Sequence, residues 1–267
     1  MGRGDLSDAE WNGLRPLLPV SKGRCGRWRD HRQVIDGILY GVRTGVQWPD
    51  VPERCGPWKT VYERHRLWSA DGTWERLLKQ VQAAADAAGD LDWVVAVDST
   101  IVCAHQHAAG GPPRGAAASE PDDHALGRSR GGLTTKINLA ADTRCRPLAF
   151  VLTPGQAGDA PTFPEVMARL RALRPVGRPR TTPDVVLADK AYSSRTIRAH
   201  LRQCGIRAVI PQPADQIAKR KKRGRAGGRP PAFDREQWHG VATQNEKTAA
   251  ICLAGLHIAG IFIWSDR

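Results

Sequence analysis

Two aspartates stand just past short apolar runs. Asp98 follows Val94-Val-Ala-Val97, and Asp189 follows Val185-Val-Leu-Ala188. Burying a carboxylate is costly without a partner, so an acid at the end of a buried strand seldom serves packing. Side chains at the carboxyl ends of neighbouring strands can converge on one point. This pair, 91 positions apart (189 − 98), could therefore share a divalent metal. Metal ions held in that way activate the attacking oxygen and stabilise the leaving one in phosphodiester cleavage. The plainer alternative is that each aspartate caps the turn or helix that follows it. Lys190, directly after Asp189, could hold a phosphate as a point charge, or be an ordinary surface lysine. Cys103, His105 and His107 alternate after the first strand, which puts them on one face of an extended chain. No fourth ligand stands at finger-like spacing, so the two histidines are expected to line the substrate groove rather than to hold zinc.

The charge agrees with a phosphate-rich substrate. Of 267 residues, 40 are Lys or Arg and 27 are Asp or Glu, a net charge of +13 with a pI near 10.0. Such a surplus favours a polyanion such as nucleic acid, although charge alone can also serve solubility. Hydrophobic content of 41% leaves enough apolar surface for a sizeable core. Lys219, Arg220, Lys221, Lys222, Arg223, Arg225 and Arg229 form a basic run beside Gly227, Gly228, Pro230 and Pro231. It reads as a flexible segment, with DNA contact preferred over a merely solvated loop. The six cysteines are far apart with no CxxC pair, which argues against a zinc ribbon or a dithiol site. The start of the chain lacks an apolar signal core, and the longest apolar stretch, Ile251–Trp264, is 14 residues. That is short for a bilayer, so a cytoplasmic protein with reduced thiols and no membrane contact is expected.

These residues need elements to position them. The first ninety or so residues read as helical. Ser7-Asp-Ala-Glu10 has the form of a capping box, leading to Leu14, Leu17 and Leu18 before Pro19. After Asp30, the residues Val34, Ile35, Ile38, Leu39 and Val42 share a helical face, and Gly45 offers a stop. A Pro/Gly-rich connector leads to a third helix, Trp58–Trp68, carrying Lys59, Arg64, His65 and Arg66, and a fourth starts near Thr73. Helix, connector and basic helix suit a helix-turn-helix-like DNA-binding unit in which Arg64 and Arg66 contact DNA. A plain helical bundle fits the pattern equally.

Beyond Gly89 the pattern changes to strands. Val94–Val97 is one, Thr134–Ala141 and Pro147–Leu152 flank a five-residue hairpin loop, and Phe163–Leu173 is helical. Asp184–Ala188 is a buried strand, Ser194–Gln203 a helix and Arg207–Ile210 a last strand, giving a mixed α/β sheet. Ala108–Gly132 is Gly/Pro-rich and reads as a loop.

In these motifs the chain resembles bacterial insertion-sequence transposases of the DDE type, in the IS4/IS5-like group. The resemblance rests on Asp5-Leu-Ser-Asp8, Gly41-Val-Arg-Thr-Gly-Val-Gln-Trp-Pro49 and Gly56-Pro-Trp-Lys-Thr-Val-Tyr62 at the start. It continues with Asp98-Ser-Thr100 and Ala104-His-Gln-His107, then Leu187-Ala-Asp-Lys-Ala-Tyr192, then Gly228-Arg-Pro-Pro-Ala-Phe-Asp234. It implies an RNase-H-like mixed sheet flanked by helices over 90–267, preceded by a small all-α domain over 1–89. It also implies Mg²⁺ (or Mn²⁺) bound by Asp98 and Asp189, and DNA cutting and strand transfer at terminal inverted repeats and target DNA. A homodimer on double-stranded DNA is the expected assembly.

One block of the family pattern is missing. A helix with Tyr, Arg, the catalytic Glu and Lys should follow, yet Phe233-Asp-Arg-Glu236 runs straight into Gln237-Trp-His-Gly-Val-Ala-Thr243. An internal deletion near 236–237 accounts for this. Glu236 and Glu246 remain, neither in the expected context. The expectation is a defective transposase copy. The alternatives are a non-catalytic DNA-binding remnant that occupies element ends and regulates active copies, and an RNase-H-fold nuclease unrelated to transposition.

Overall fold

The computed structural model describes residues 5–20, 28–103, 125–129, 132–174 and 176–231. The chain divides into two compact units, with the described residues up to 84 in one and those from 85 in the other.

The first unit is helical. Helix α1 (Asp8–Leu14) starts on the expected capping box: Glu10 N donates to Ser7 Oγ, and the Glu10 carboxylate accepts from Ser7 N at 2.7 Å. It ends earlier than Pro19 because a 3-10 turn, Arg15–Leu17, takes over with Pro16 inside it. Helix α2 (His31–Thr44) is capped by Asp30 and stopped by Gly45, whose φ of 67° suits glycine. Val34, Ile35 and Ile38 form its buried stripe. On the same stripe, a Cβ at Gly37 would lie 3.0 Å from that of Cys55 and 3.1 Å from Val61, so a glycine lets α3 approach. Helices α3 (Trp58–Ala70) and α4 (Thr73–Ala87) follow.

Arg64 departs from expectation. It shares the buried stripe of α3 with Val61 and Trp68 and is only 7% exposed. Its guanidinium lies 4.2 Å from the centre of the Trp28 ring and 5.3 Å from that of Trp68, and bonds His31 Nδ1 at 3.1 Å. Its charge is therefore used inside the helical unit rather than offered to DNA. Arg66, two positions on, is exposed.

The second unit is built on a six-stranded sheet. Its strands are β1 (Val94–Cys103), β2 (Gly127–Ser129), β3 (Gly132–Ala141), β4 (Pro147–Pro154), β5 (Val185–Ala188) and β6 (Arg207–Val209). The order is β4-β3-β1-β5-β6, with β2 pairing the start of β3. β3 is antiparallel to β1 and β4, while β5 is parallel to β1 and β6. Three antiparallel strands followed by parallel ones reached through helices make this the RNase-H-like topology. The crossovers are α5 (Asp159–Arg169) and α6 (Arg195–Gln203), and α7 (Ala214–Lys222) follows β6.

The hairpin between β3 and β4 is pinned by Asp142. Its carboxylate accepts from Arg146 N and Nε, both at 2.8 Å, and Arg146 also reaches Asp90 at 2.6 Å.

Besides β2, which falls within the stretch read as a loop, three elements differ from the sequence reading. β1 does not stop at Val97, because β3 pairs with it from Ala96 as far as Cys103. Asp98 thus lies within the strand, where the neighbour on the other side, β5, has ended. Helix α5 begins at Asp159 rather than Phe163, since Pro161 occupies the first turn, where an amide has no partner to lose. It ends at Arg169 because Leu170 takes an extended ψ of 113°. Third, the basic run is not a flexible loop. It is helical through Lys222 and a 3-10 turn over Gly224–Gly227, since Lys, Arg, Gln and Ala are good helix formers and cations suit a helix C-terminus.

Candidate active site

Parallel pairing of β1 with β5 sets the site. The register runs Val94↔Val185, Val95↔Val186, Ala96↔Leu187 and Val97↔Ala188. Its next step brings Asp98 level with Asp189, whose backbone is still extended (φ −75°, ψ 178°). Side chains alternate along each strand, so Asp98 lies on the face of Val94 and Ala96, and Asp189 on that of Val185 and Leu187. Those four residues pack in one cluster with Val209. Both acids therefore leave the sheet on the same face, from strands about 4.8 Å apart, and both are exposed.

Each carboxylate is steadied by the backbone. Asp98 Oδ1 accepts from Ser99 N, and Asp189 Oδ1 accepts from Ala191 N, each at 2.8 Å. The second contact makes Asp189 the N-cap of the 3-10 turn Lys190–Tyr192, so capping and metal binding are not exclusive here. Lys190, the first residue of that turn, is exposed.

Two hard, anionic oxygen donors side by side at the end of a pair of parallel strands suit a divalent cation. Among the described residues, no group of three or more His, Cys, Asp or Glu able to hold a metal forms. Glu236 and Glu246 lie outside the described residues, as do His105 and His107.

Behind the acids, on the opposite face of β1, is a polar network that motif reading missed. Ser99 Oγ donates to Asp159 Oδ1 at 2.8 Å, and Lys136 Nζ donates to the same oxygen at 2.8 Å and to Ala157 O at 2.5 Å. Thr134, Lys136 and Asn138 of β3 are all buried. A signal was available: Thr134, Lys136 and Asn138 stand at period two in β3 and mark a polar face. Tyr192, packed on Phe163 of α5, is also buried. Burial raises its phenol above the ordinary tyrosine range, and the charges of Asp159, Asp98 and Asp189 add to the rise, partly offset by the Ser99 hydroxyl. Three carboxylates are thus within electrostatic reach of one phenol.

The basic helix is tied to the Asp189 loop. Gln216 of α7 donates to Ser193 O at 2.7 Å, and Arg198 of α6 donates to Ser193 Oγ at 2.9 Å and Ile210 O at 2.7 Å. Lys219, Lys221, Lys222, Arg223, Arg225 and Arg229 are exposed and Arg220 is half-buried. Asp98, Asp189 and Lys190 thus stand where β1 and β5 cease to pair in the middle of the sheet, and α7, which carries part of the basic run, is anchored to the loop after Asp189.

An RNase-H-like sheet with two exposed acids where its central parallel strands cease to pair suits metal-dependent chemistry on phosphodiesters. Family comparison agrees. Residues 6–78 match the model "Putative transposase of IS4/5 family" and residues 89–251 match "Transposase DDE domain". The chain belongs to the DDE transposases of the IS4/IS5 type, enzymes that act on DNA with divalent metal ions.

Over 106 residues it is 38% identical to the uncharacterized protein y4sN of Sinorhizobium fredii, covering 39% of this chain and 81% of that one. Over 110 residues it is 36% identical to the insertion element IS402 uncharacterized 16.2 kDa protein of Burkholderia cepacia, covering 38% and 75%. Solved structures give a looser likeness. The Mos1 strand transfer complex matches at TM-score 0.28 and 13% identity over 94% of this chain and 79% of that one. The catalytic domain of Mos1 mariner transposase matches at 0.27 and 11% over 71% and 87%. No helix among the described residues is long and apolar enough to cross a membrane.

Proposed function

We propose that the catalytic centre of this transposase is built on Asp98 and Asp189, and that this copy binds its DNA but cuts it poorly. The observation that supports the reading is the β1–β5 register, which runs in parallel to Val97↔Ala188, one step before both acids. Mg²⁺, with Mn²⁺ as a substitute, is the cation this all-oxygen donor pair favours. Bound there, it would supply Lewis acidity at a phosphodiester.

The chain's own residues do the rest. Lys190 holds a phosphate beside the acids, while the cations of α7 and the turn after it hold the DNA backbone. Residues 1–89 serve as a DNA-binding domain, with Arg66 on its surface, and 90–267 as the catalytic domain. The DNA is double-stranded, comprising terminal inverted repeats and target, and the protein works as a homodimer in the cytoplasm.

The impairment follows from ligand count. By its resemblance to the family, the sequence lacks the Tyr-Arg-Glu-Lys helix that supplies the third acid, and the remaining candidates, Glu236 and Glu246, lie outside the described residues. With two carboxylates, the second ion loses a negative ligand. A protein that occupies element ends without cutting them is the second reading, and the same ligand count favours it.

The test is to incubate the purified full chain with end-labelled DNA carrying its inverted repeats, in Mg²⁺ and in Mn²⁺. Retention of the DNA with nicking at background is expected. Cutting at the repeat ends that disappears in Asp189→Asn would overturn the impairment. Failure to prefer the repeats over random DNA would overturn the transposon-end reading.

A further inference from the structure

We propose that Ser99 is a positioning residue for Asp98, anchored by a Lys136–Asp159 ion pair on the far side of the sheet. This rests on the reading of Asp98 and Asp189 as the metal site.

Beyond Val97, β1 has lost β5 as a neighbour and is paired only with β3. Asp98 thus sits where the strand is supported on one side. Ser99 is the residue that compensates. Its backbone N–H holds the Asp98 carboxylate at 2.8 Å, while its hydroxyl donates to Asp159 at 2.8 Å. Asp159 begins α5, so the bond ties the strand to a helix 60 positions away in sequence.

Asp159 is itself fixed. Lys136, only 8% exposed, bonds it at 2.8 Å and also bonds Ala157 O in the turn before α5. The ammonium neutralises the acid and leaves its oxygen as a rigid acceptor. Ser99 and Lys136 lie on the face opposite Asp98, because Ile101 pairs with Lys136 and alternation puts positions 99 and 101 together. Asp159 is therefore no metal ligand. It acts through Ser99 by fixing the backbone from which Asp98 leaves. Groups that orient metal-binding carboxylates in this way commonly govern affinity.

The test uses the full-length protein and Mn²⁺ alone, with unbound ion counted by its electron paramagnetic resonance signal. Asp98→Asn and Asp189→Asn serve as site controls. Ser99→Ala is expected to weaken the Asp98-dependent site about tenfold, at the low end of the effect of such outer partners. Its melting temperature should stay close to that of the parent, because Asp159 keeps Lys136. Ser99→Thr, which restores the hydroxyl on a strand-compatible side chain, is expected to recover the affinity. Unchanged Mn²⁺ binding in Ser99→Ala, or binding in Ser99→Thr as weak as in Ser99→Ala, overturns the proposal and leaves the metal site standing. Binding indifferent to both Asp98→Asn and Asp189→Asn overturns the metal site, and this proposal with it.

Discussion

Acidification should destabilise the helical unit through His65. The ring lies between Trp48 at 5.4 Å and Trp74 at 6.3 Å, and its buried Nδ1 has no hydrogen-bond partner. Burial lowers its pKa from 6.5 to about 4, because a charged imidazole there would lose its hydration. The folded value is below the unfolded one, so the unfolded state binds the proton first. Stability is full above pH 6.5 and drains as pH falls toward 4. With those two values, the loss is about 2 kcal/mol at pH 5 and about 3 kcal/mol near pH 4. Burial lowers His31 too, with the Arg64 charge second, so it acts in the same sense.

Comparing wild type with His65→Leu isolates the first histidine. Urea melts at pH 7, 6, 5 and 4.5, followed by tryptophan fluorescence, should show wild type losing stability more steeply than the variant, by about 2 kcal/mol between pH 7 and 5. Parallel pH curves for the two proteins would refute the assignment of a neutral, desolvated His65.

Two other perturbations have defined outcomes. Replacing Lys222, Arg223 and Arg225 together by alanine removes three exposed cations. If each meets a phosphate, the slope of log affinity against log salt should shrink by about 2.7, an effect of about 40-fold between 50 and 200 mM salt. Filter binding at several salt concentrations measures this, and an unchanged slope would remove the end of α7 and the turn after it from the DNA interface. In the β3–β4 hairpin, Arg146→Met leaves the Asp142 carboxylate, at 0% side-chain exposure, without its partner. That should cost about 3–5 kcal/mol in urea denaturation. Arg144→Ala, at 64% side-chain exposure, should cost less than about 1 kcal/mol. Similar losses for the two would contradict the burial argument.

Local rules made much of the fold readable. Ser7 and Glu10, Asp30, Gly45, and the turn from Asp142 to Arg146 each carry their signal within a few residues. The apolar runs before Asp98 and Asp189 mark the central strands, with Asp98 inside β1 and Asp189 just past β5. What escaped depends on distant partners. The continuation of β1 through Ser99–Cys103 is carried by pairing with β3; Thr100-Ile-Val102 are strand formers, but the charge of Asp98 reads as a strand end and hides them. The Ser99–Asp159 and Lys136–Asp159 bonds join residues 60 and 23 positions apart, beyond the reach of a motif. Arg64 was legible, since it falls three positions after Val61 and four before Trp68 on the stripe that must be buried. Reading it by charge rather than by helical phase made it a DNA contact. The basic run reads as flexible because of Gly227, Gly228, Pro230 and Pro231, yet these residues follow the helix instead of interrupting it.

The claim that most needs testing is that Asp98 and Asp189 share one cation. Fe²⁺ placed in a divalent site generates hydroxyl radicals with ascorbate and peroxide, and these cut the polypeptide beside the metal. Mapping the fragments of the full-length protein should give two clusters of cuts, around residue 98 and around residue 189, both suppressed by excess Mg²⁺ and both lost in either Asp98→Asn or Asp189→Asn. Cuts at only one of the two, or cuts that survive both substitutions, would contradict a shared site.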